Sequence, residues 1–252
     1  MTKLERLVAA LDRELRIDQF RDASRNGLQV ANDGRVRRIE CGVDANLEFF
    51  EAARRRGADL LICHHGLSWG DSMTRLTGVQ YRRVAFLIRN NMALYAAHLP
   101  LDAHPRLGNN VQIARAMGIR GLKPFGNYHG QVIGWAGRLA SPMPFAAFKK
   151  RAERVLRHGL QTMEYGPATV RTVAVVSGGA ADLVEEAGRK GLDVFLSGEP
   201  ALQARTPAME YGVHAVFAGH YATELFGVRA AGAYLTRRFR VPCETLDFRV
   251  PF

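Results

Sequence analysis

Ala58-Asp59-Leu60-Leu61-Ile62-Cys63-His64-His65-Gly66 is an apolar run that stops at two adjacent histidines. Bounded by Gly57 and Gly66, it reads as a buried strand. In open α/β sheets, ligands bind beyond the carboxyl ends of the strands. His64 and His65 stand at that place. Adjacent residues leaving a strand point in different directions, so one ion taking both would need strained geometry. Two ions side by side could take one each. The alternative is a pair of histidines hydrogen-bonded to a loop. Upstream, Arg38 to Val43 reads as a strand, and Asp44 or Asn46 can cap the helix after it. That helix buries Leu47, Phe49, Phe50 and Ala53, runs to about Arg56, and ends at Gly57. Strand, helix and strand make a right-handed βαβ unit.

Leu4, Leu7, Val8, Leu11 and Leu15 predict an amphipathic helix over 3–15. Asn26-Gly27 marks a turn before Leu28-Gln29-Val30. Residues 79–91 are helical by spacing, and Ala93 to Ala97 is a second apolar run that ends in a histidine. There the chain reads His98-Leu99-Pro100-Leu101-Asp102-Ala103-His104-Pro105. Pro100 and Pro105 predict a stiffened loop, not a helix. On it, Asp102 can bridge two ions, one to each oxygen. Gly108-Asn109-Asn110 then opens a helix that reaches about Met117.

The second half repeats the first. Gly57 pairs with Gly191, Asp59 with Asp193 and His65 with Glu199, while Ile39–Val43 matches Val173–Ser177. Val213 to Ala218 is again an apolar run, followed by Gly219-His220-Tyr221-Ala222-Thr223-Glu224. His98 and Asp102 are four apart, as are His220 and Glu224. If a helix starts there, His220 and Glu224 share a face and can serve one metal centre. The expected fold class is α/β, with two similar, duplicated halves of mixed sheet flanked by helices and a metal site between them. The halves are 1–125, with the His-His and His-x-x-x-Asp ligands, and 126–252, with the His-x-x-x-Glu ligands.

Of the 252 residues, 47% are hydrophobic, enough for one large or two small domains. No run approaches the ~20 apolar residues of a membrane helix, and no signal peptide is visible, so a cytoplasmic location is expected. Cys41, Cys63 and Cys243 form no CxxC and no disulfide framework, which fits a reducing compartment. Cys63 reads as a small buried apolar group. The net charge of +11 points to anionic partners, phosphorylated small molecules or nucleic acid. Much of it lies on solvated faces such as that of Lys149, Lys150, Arg151, Arg154 and Arg157. His129 and His158 fall outside the histidine-ended strands and read as structural or surface groups. P-loop, GxGxxG and GxSxG motifs are absent, which disfavours the hydrolases that carry them.

The candidate metal ligands are therefore His64, His65, Asp102, His220 and Glu224, with His98 and His104 as proton-transfer candidates and Glu199 near the site. Nitrogen and oxygen donors suit two divalent ions, and zinc, iron, manganese or nickel fit equally. The segments around Asn26-Gly27, His64-His65-Gly66, His98 to His104, Gly108-Asn109-Asn110, Ser197-Gly198-Glu199 and Gly219 to Glu224 resemble the Nif-three-like dinuclear metal centre family. Its members are named GTP cyclohydrolase I type 2 or its homologues. The resemblance implies two metal ions on the matching residues, in the compact form without an inserted domain. It also implies a toroidal homohexamer, a trimer of dimers, with the sites facing an inner cavity. Two functional classes follow. One is a two-metal hydrolase acting on GTP or another phosphorylated compound, opening the purine ring and releasing formate in the case of GTP. The other is a metal-carrying ring or nucleic-acid-associated scaffold without turnover.

Overall fold

In the computed structural model, which describes residues 2–70 and 72–251, the chain opens on strand β1 (Thr2–Lys3) and helix α1 (Leu4–Leu15). Leu4, Leu7, Leu11 and Leu15 are buried on one face of α1, as their spacing predicts. Strands β2 (Gly27–Val30), β3 (Arg35–Val36) and β4 (Ile39–Asp44) follow, then α2 (Leu47–Arg55), β5 (Leu60–His65), α3 (Gly78–Arg89) and β6 (Ala93–Ala96). Helices α4 (Leu99–Ala103) and α5 (Asn109–Ala116) lead to the hairpin of β7 (Ile119–Tyr128) and β8 (Gln131–Pro144), then to α6 (Phe145–Leu156). The chain continues through β9 (Gln161–Glu164), β10 (Thr169–Val175), α7 (Val184–Arg189) and β11 (Val194–Ser197). It ends with α8 (Arg205–Tyr211), β12 (His214–Phe217), α9 (His220–Phe239) and β13 (Cys243–Thr245). No described helix is long and apolar enough to cross a membrane.

The elements gather in two compact units, Met1–Leu101 with Gly227–Phe248, and Asp102–Phe226 with Arg249–Phe252. The chain thus passes between units within α4 and again within α9. The first unit carries a sheet of order β13-β4-β5-β6-β2. Its first four strands are parallel and β2 is antiparallel at the edge. Strands buried on both faces need continuous apolar runs, and Leu60 to Cys63 and Ala93 to Ala96 supply them. Phe49, Phe50 and Ala53 of α2 pack with Leu61, Cys63, Leu94 and Ala96 in one core. Asn46 caps α2, its Oδ1 accepting from the Phe49 N–H at 2.9 Å. The second unit carries a sheet of order β7-β8-β10-β11-β12-β9. There β10, β11 and β12 are parallel, and β7, β8 and β9 run antiparallel to their neighbours. Each unit is thus a mixed sheet flanked by helices, the α/β class expected.

The duplication extends to single hydrogen bonds. Asp59 Oδ2 accepts from the backbone N–H of Arg37 at 2.7 Å and of Arg38 at 3.2 Å. Its counterpart Asp193 accepts from the N–H of Arg171 at 2.7 Å and of Thr172 at 2.9 Å. In both units a carboxylate just before one strand thus pins the backbone beside it, ahead of β4 in the first unit and within β10 in the second. Gly57 and Gly191 end the preceding helices with φ of +74° and +63°, where a side chain would be strained. We expect Asp59→Ala and Asp193→Ala each to lower stability by about 2 kcal/mol, read as a shift of the urea midpoint. A loss in only one of the two would show that the bonds are equivalent in geometry but not in energy.

The loop expected around Pro100 is instead the helix α4, Leu99–Ala103. Pro100 sits in its first turn, where a missing N–H costs no intrahelical bond and a fixed φ suits the helix. Pro105 lies beyond its end.

Candidate metal centre

In the first unit the site grows from the carboxyl end of β5. His64 is fully buried, and its Nδ1 donates to the carbonyl oxygen of Ala97 at 2.9 Å. The His65 ring lies beside it, with ring centroids 4.8 Å apart, and its Nδ1 meets Asp44 Oδ1 at 2.8 Å. Asp44 ends the neighbouring strand, in register with His65. His98 follows β6, and its Nδ1 meets Asp22 Oδ1 at 2.9 Å. Its backbone N–H is held by Asn26 Oδ1 at 2.7 Å. One ring nitrogen from each of His64, His65 and His98 lies within 4.8 Å of the others, so the three could hold a metal ion. Trp69 stands edge-on to His98, with ring centroids 4.9 Å apart, and donates Nε1–H to the Gly66 oxygen.

The glycine after the histidine pair is required. A Cβ on Gly66 would overlap the Gln29 amide and lie 2.6 Å from the Ala96 Cβ. Gln29 in turn accepts the Leu67 N–H at 2.7 Å. The Asn26-to-Val30 stretch therefore braces the loops around the histidines.

In the second unit, His220 begins α9 and Glu224 lies one turn on, with Nε2 and Oε1 3.0 Å apart. Glu224 is only 3% exposed. The other ring nitrogen of His220, Nδ1, meets Glu199 Oε1 at 2.8 Å. Burial works to lower the His220 pKa, but the hydrogen bonds and charges of Glu224 and Glu199 outweigh it and raise it to about 9. Gly178, with φ of +67°, lets these groups in, since a Cβ there would fall 2.5 Å from Glu224 Oε1 and 3.2 Å from His220 Nε2. Asp102 is buried, and its Oδ1 accepts from Asn109 Nδ2 at 2.8 Å and Ser177 Oγ at 3.0 Å. Asn110 ties the same corner together, accepting the Ser177 N–H at 2.6 Å and donating to the Ile133 oxygen at 2.8 Å. Beside Glu199 a cavity of about 510 Å³ is lined by His158, Gln161, Pro200, Phe217 and Gly219.

The structure thus brings His64 and His65 together with His98, and His220 together with Glu224. His104 is spent differently: its Nδ1 accepts the N–H groups of Arg106 at 3.2 Å and Leu107 at 2.9 Å. The matched spacing of His98 with His220 is one residue out of structural register. Ala97 N–H bonds the Cys63 oxygen as Ala218 N–H bonds that of Ser197, so His98 corresponds to Gly219. Asp22, Trp69, Gly178 and Ser177 carry no spacing signal and were not anticipated from sequence.

The acceptors identify the tautomers. Carbonyl and carboxylate oxygens only accept, so the Nδ1 atoms of His64, His65, His98 and His220 carry the protons. In His64, His65 and His98 the lone pair then belongs to Nε2, the arrangement of metal-ligating histidines. His220 Nε2 also faces a carboxylate oxygen, Glu224 Oε1, and must give up a proton before it can take an ion. Imidazole nitrogen with carboxylate oxygen is a donor set for divalent ions of borderline softness.

Comparison with known proteins follows the same line. The family model described as Duf34/NIF3 (NGG1p interacting factor 3) matches residues 2–250. A Deinococcus radiodurans protein named GTP cyclohydrolase 1 type 2 homolog is 42% identical over 244 residues, which is 97% of this chain and 92% of that protein. A Thermus thermophilus protein of solved structure superposes with a TM-score of 0.91 at 36% identity, covering 100% of both chains. Reduced HcgD from Methanocaldococcus jannaschii does so with a TM-score of 0.84 at 25% identity, covering 98% of each.

Proposed function

The chain belongs to the Duf34/NIF3 family, and on that premise we propose that it is a hydrolase with two divalent metal ions, acting on a nucleotide or another phosphorylated compound. Its ligands are His64, His65, Asp102, His220 and Glu224. The observation that carries this reading is that each of the three ligand imidazoles, His64, His65 and His220, has its Nδ1 tied to a fixed oxygen. Packing alone does not ask three histidines to spend the same ring nitrogen. Two bound ions would supply Lewis acidity for polarising the substrate and activating water.

The protein's own groups have separable tasks. Asp44 and Glu199 orient the rings of His65 and His220. Asn109 and Ser177 both donate to Asp102 Oδ1 and would hold its carboxylate in place. For proton transfer the candidates are His98, whose Nδ1 is held by Asp22, and His104, whose Nδ1 is held by two backbone N–H groups. The relatives' name directs the first substrate trial to GTP. Metal-loaded protein is expected to release formate from GTP, and Asp102→Ala to release at least tenfold less. Equal release from both would remove the GTP reading. The family resemblance extends the proposal to a homohexamer, a trimer of dimers, tested by the mass in solution. The scaffold reading has less support, since the basic face of α6 is partly engaged: Lys149 pairs with Glu164, and Arg151 donates to the Met117 oxygen.

A further inference from the structure

Away from the histidines, the first unit holds two thiols in contact. Cys41 lies on β4 and Cys243 on β13, with their Sγ atoms 3.3 Å apart. Cys41 is buried and Cys243 is half-buried. In the ladder of these parallel strands, Cys243 is opposite Ile39 and Thr245 is opposite Cys41. The two cysteines are therefore offset by two residues, and the pleat puts both on one face. Helix α9 passes that face with Gly232. A Cβ there would fall 2.5 Å from Cys243 Sγ and 2.9 Å from Cys41 Sγ, so the bare helix backbone makes room for both sulfurs.

We propose that Cys41 and Cys243 are an oxidisable pair that closes to an intrachain disulfide when the protein meets a small-molecule disulfide such as oxidised glutathione. Cys243, the more accessible, enters first: its thiolate attacks one sulfur of the reagent, the reagent's S–S bond breaks, and one thiol leaves. The Cys41 sulfur then displaces the second thiol from Cys243, and the Cys41 proton passes to that departing sulfur. The two protein thiols give up two electrons, and the reagent is reduced to two thiols. The Cys243 contact and burial both push the Cys41 thiol well above its ordinary pKa, so Cys41 is not the sulfur that starts the reaction. The sulfurs must close to about 2.05 Å. Cys243 stands on a short edge strand, which can make that approach.

The third cysteine is an internal control, since Cys63 is fully buried with its Sγ on the Tyr95 oxygen. The native full chain, as purified, is incubated with oxidised glutathione, then denatured and its thiols titrated. The expected result is a fall of two thiols per chain, a Cys41–Cys243 linked peptide, a single-chain species on a non-reducing gel, and full reversal by dithiothreitol. Cys243→Ser should form no intrachain link. The proposal is overturned if glutathione stays on Cys243 while Cys41 still titrates, if the bond joins two chains, or if no thiol is lost.

Discussion

Alanine at Asp22 is expected to cost the fold roughly 3 kcal/mol or more. The Asp22 side chain is 2% exposed. Its Oδ1 accepts from the Ser24 N–H at 3.0 Å and His98 Nδ1 at 2.9 Å. Its Oδ2 accepts from Asn26 Nδ2 and the Leu99 N–H, both at 3.0 Å. Truncation would strand four donors in a place with little access to water, and a stranded donor costs more than a made bond gains. Burial works to raise the Asp22 pKa. The hydrogen bond and charge of His98, with Asn26 and the Ser24 N–H, outweigh it and bring the value down from 3.8 to about 2. The folded pKa lies below the unfolded one, so this stabilisation is fully present above about pH 4 and is lost as the pH falls through about 2. Urea midpoints of chelator-treated protein should therefore separate wild type from Asp22→Ala widely at neutral pH and converge near pH 2. A variant as stable as wild type at neutral pH would mean that water replaces the carboxylate.

Removing the carboxylate behind a ligand should weaken metal binding by roughly 10–100-fold. The clearest case is Glu199→Ala, because the Glu199 side chain is 51% exposed and its loss threatens the fold little. What it contributes is the hydrogen bond to His220 Nδ1, which holds the ring and makes Nε2 the donor. Glu199→Gln keeps an oxygen that can accept, so its loss should be smaller. Asp44→Ala tests the same argument at His65. The order wild type, Gln, Ala in a chelator-competition titration is expected. Unchanged affinity in Glu199→Ala would leave the carboxylate without a role at the metal.

Much of this architecture is legible in the chain because its signals are local. An apolar run ended by two histidines can be read without a partner. So can the repeat that pairs Asp59 with Asp193, and the structure gives both the same pair of backbone donors. The same repeat pairs Glu199 with His65; His65 ends β5 and Glu199 lies two residues past β11. Pro100 misled because proline breaks helices in their interior and is welcome in the first turn, and sequence alone did not fix where α4 begins. The supports of the site lay beyond reach for a different reason. Asp22 meets His98, and Ser177 meets Asp102, across more than seventy residues each. No periodicity marks such contacts. Gly178 looks like any loop glycine until Glu224 and His220 occupy the space its side chain would fill.

The most direct test of the dinuclear reading is metal content per chain, measured on protein purified without chelator beside His64→Ala and Glu224→Ala. About two divalent ions per chain in wild type, with a clear loss in each variant, is the predicted result. Absence of metal from all three proteins after reconstitution, or wild-type content in both variants, would contradict it and return these residues to a structural role.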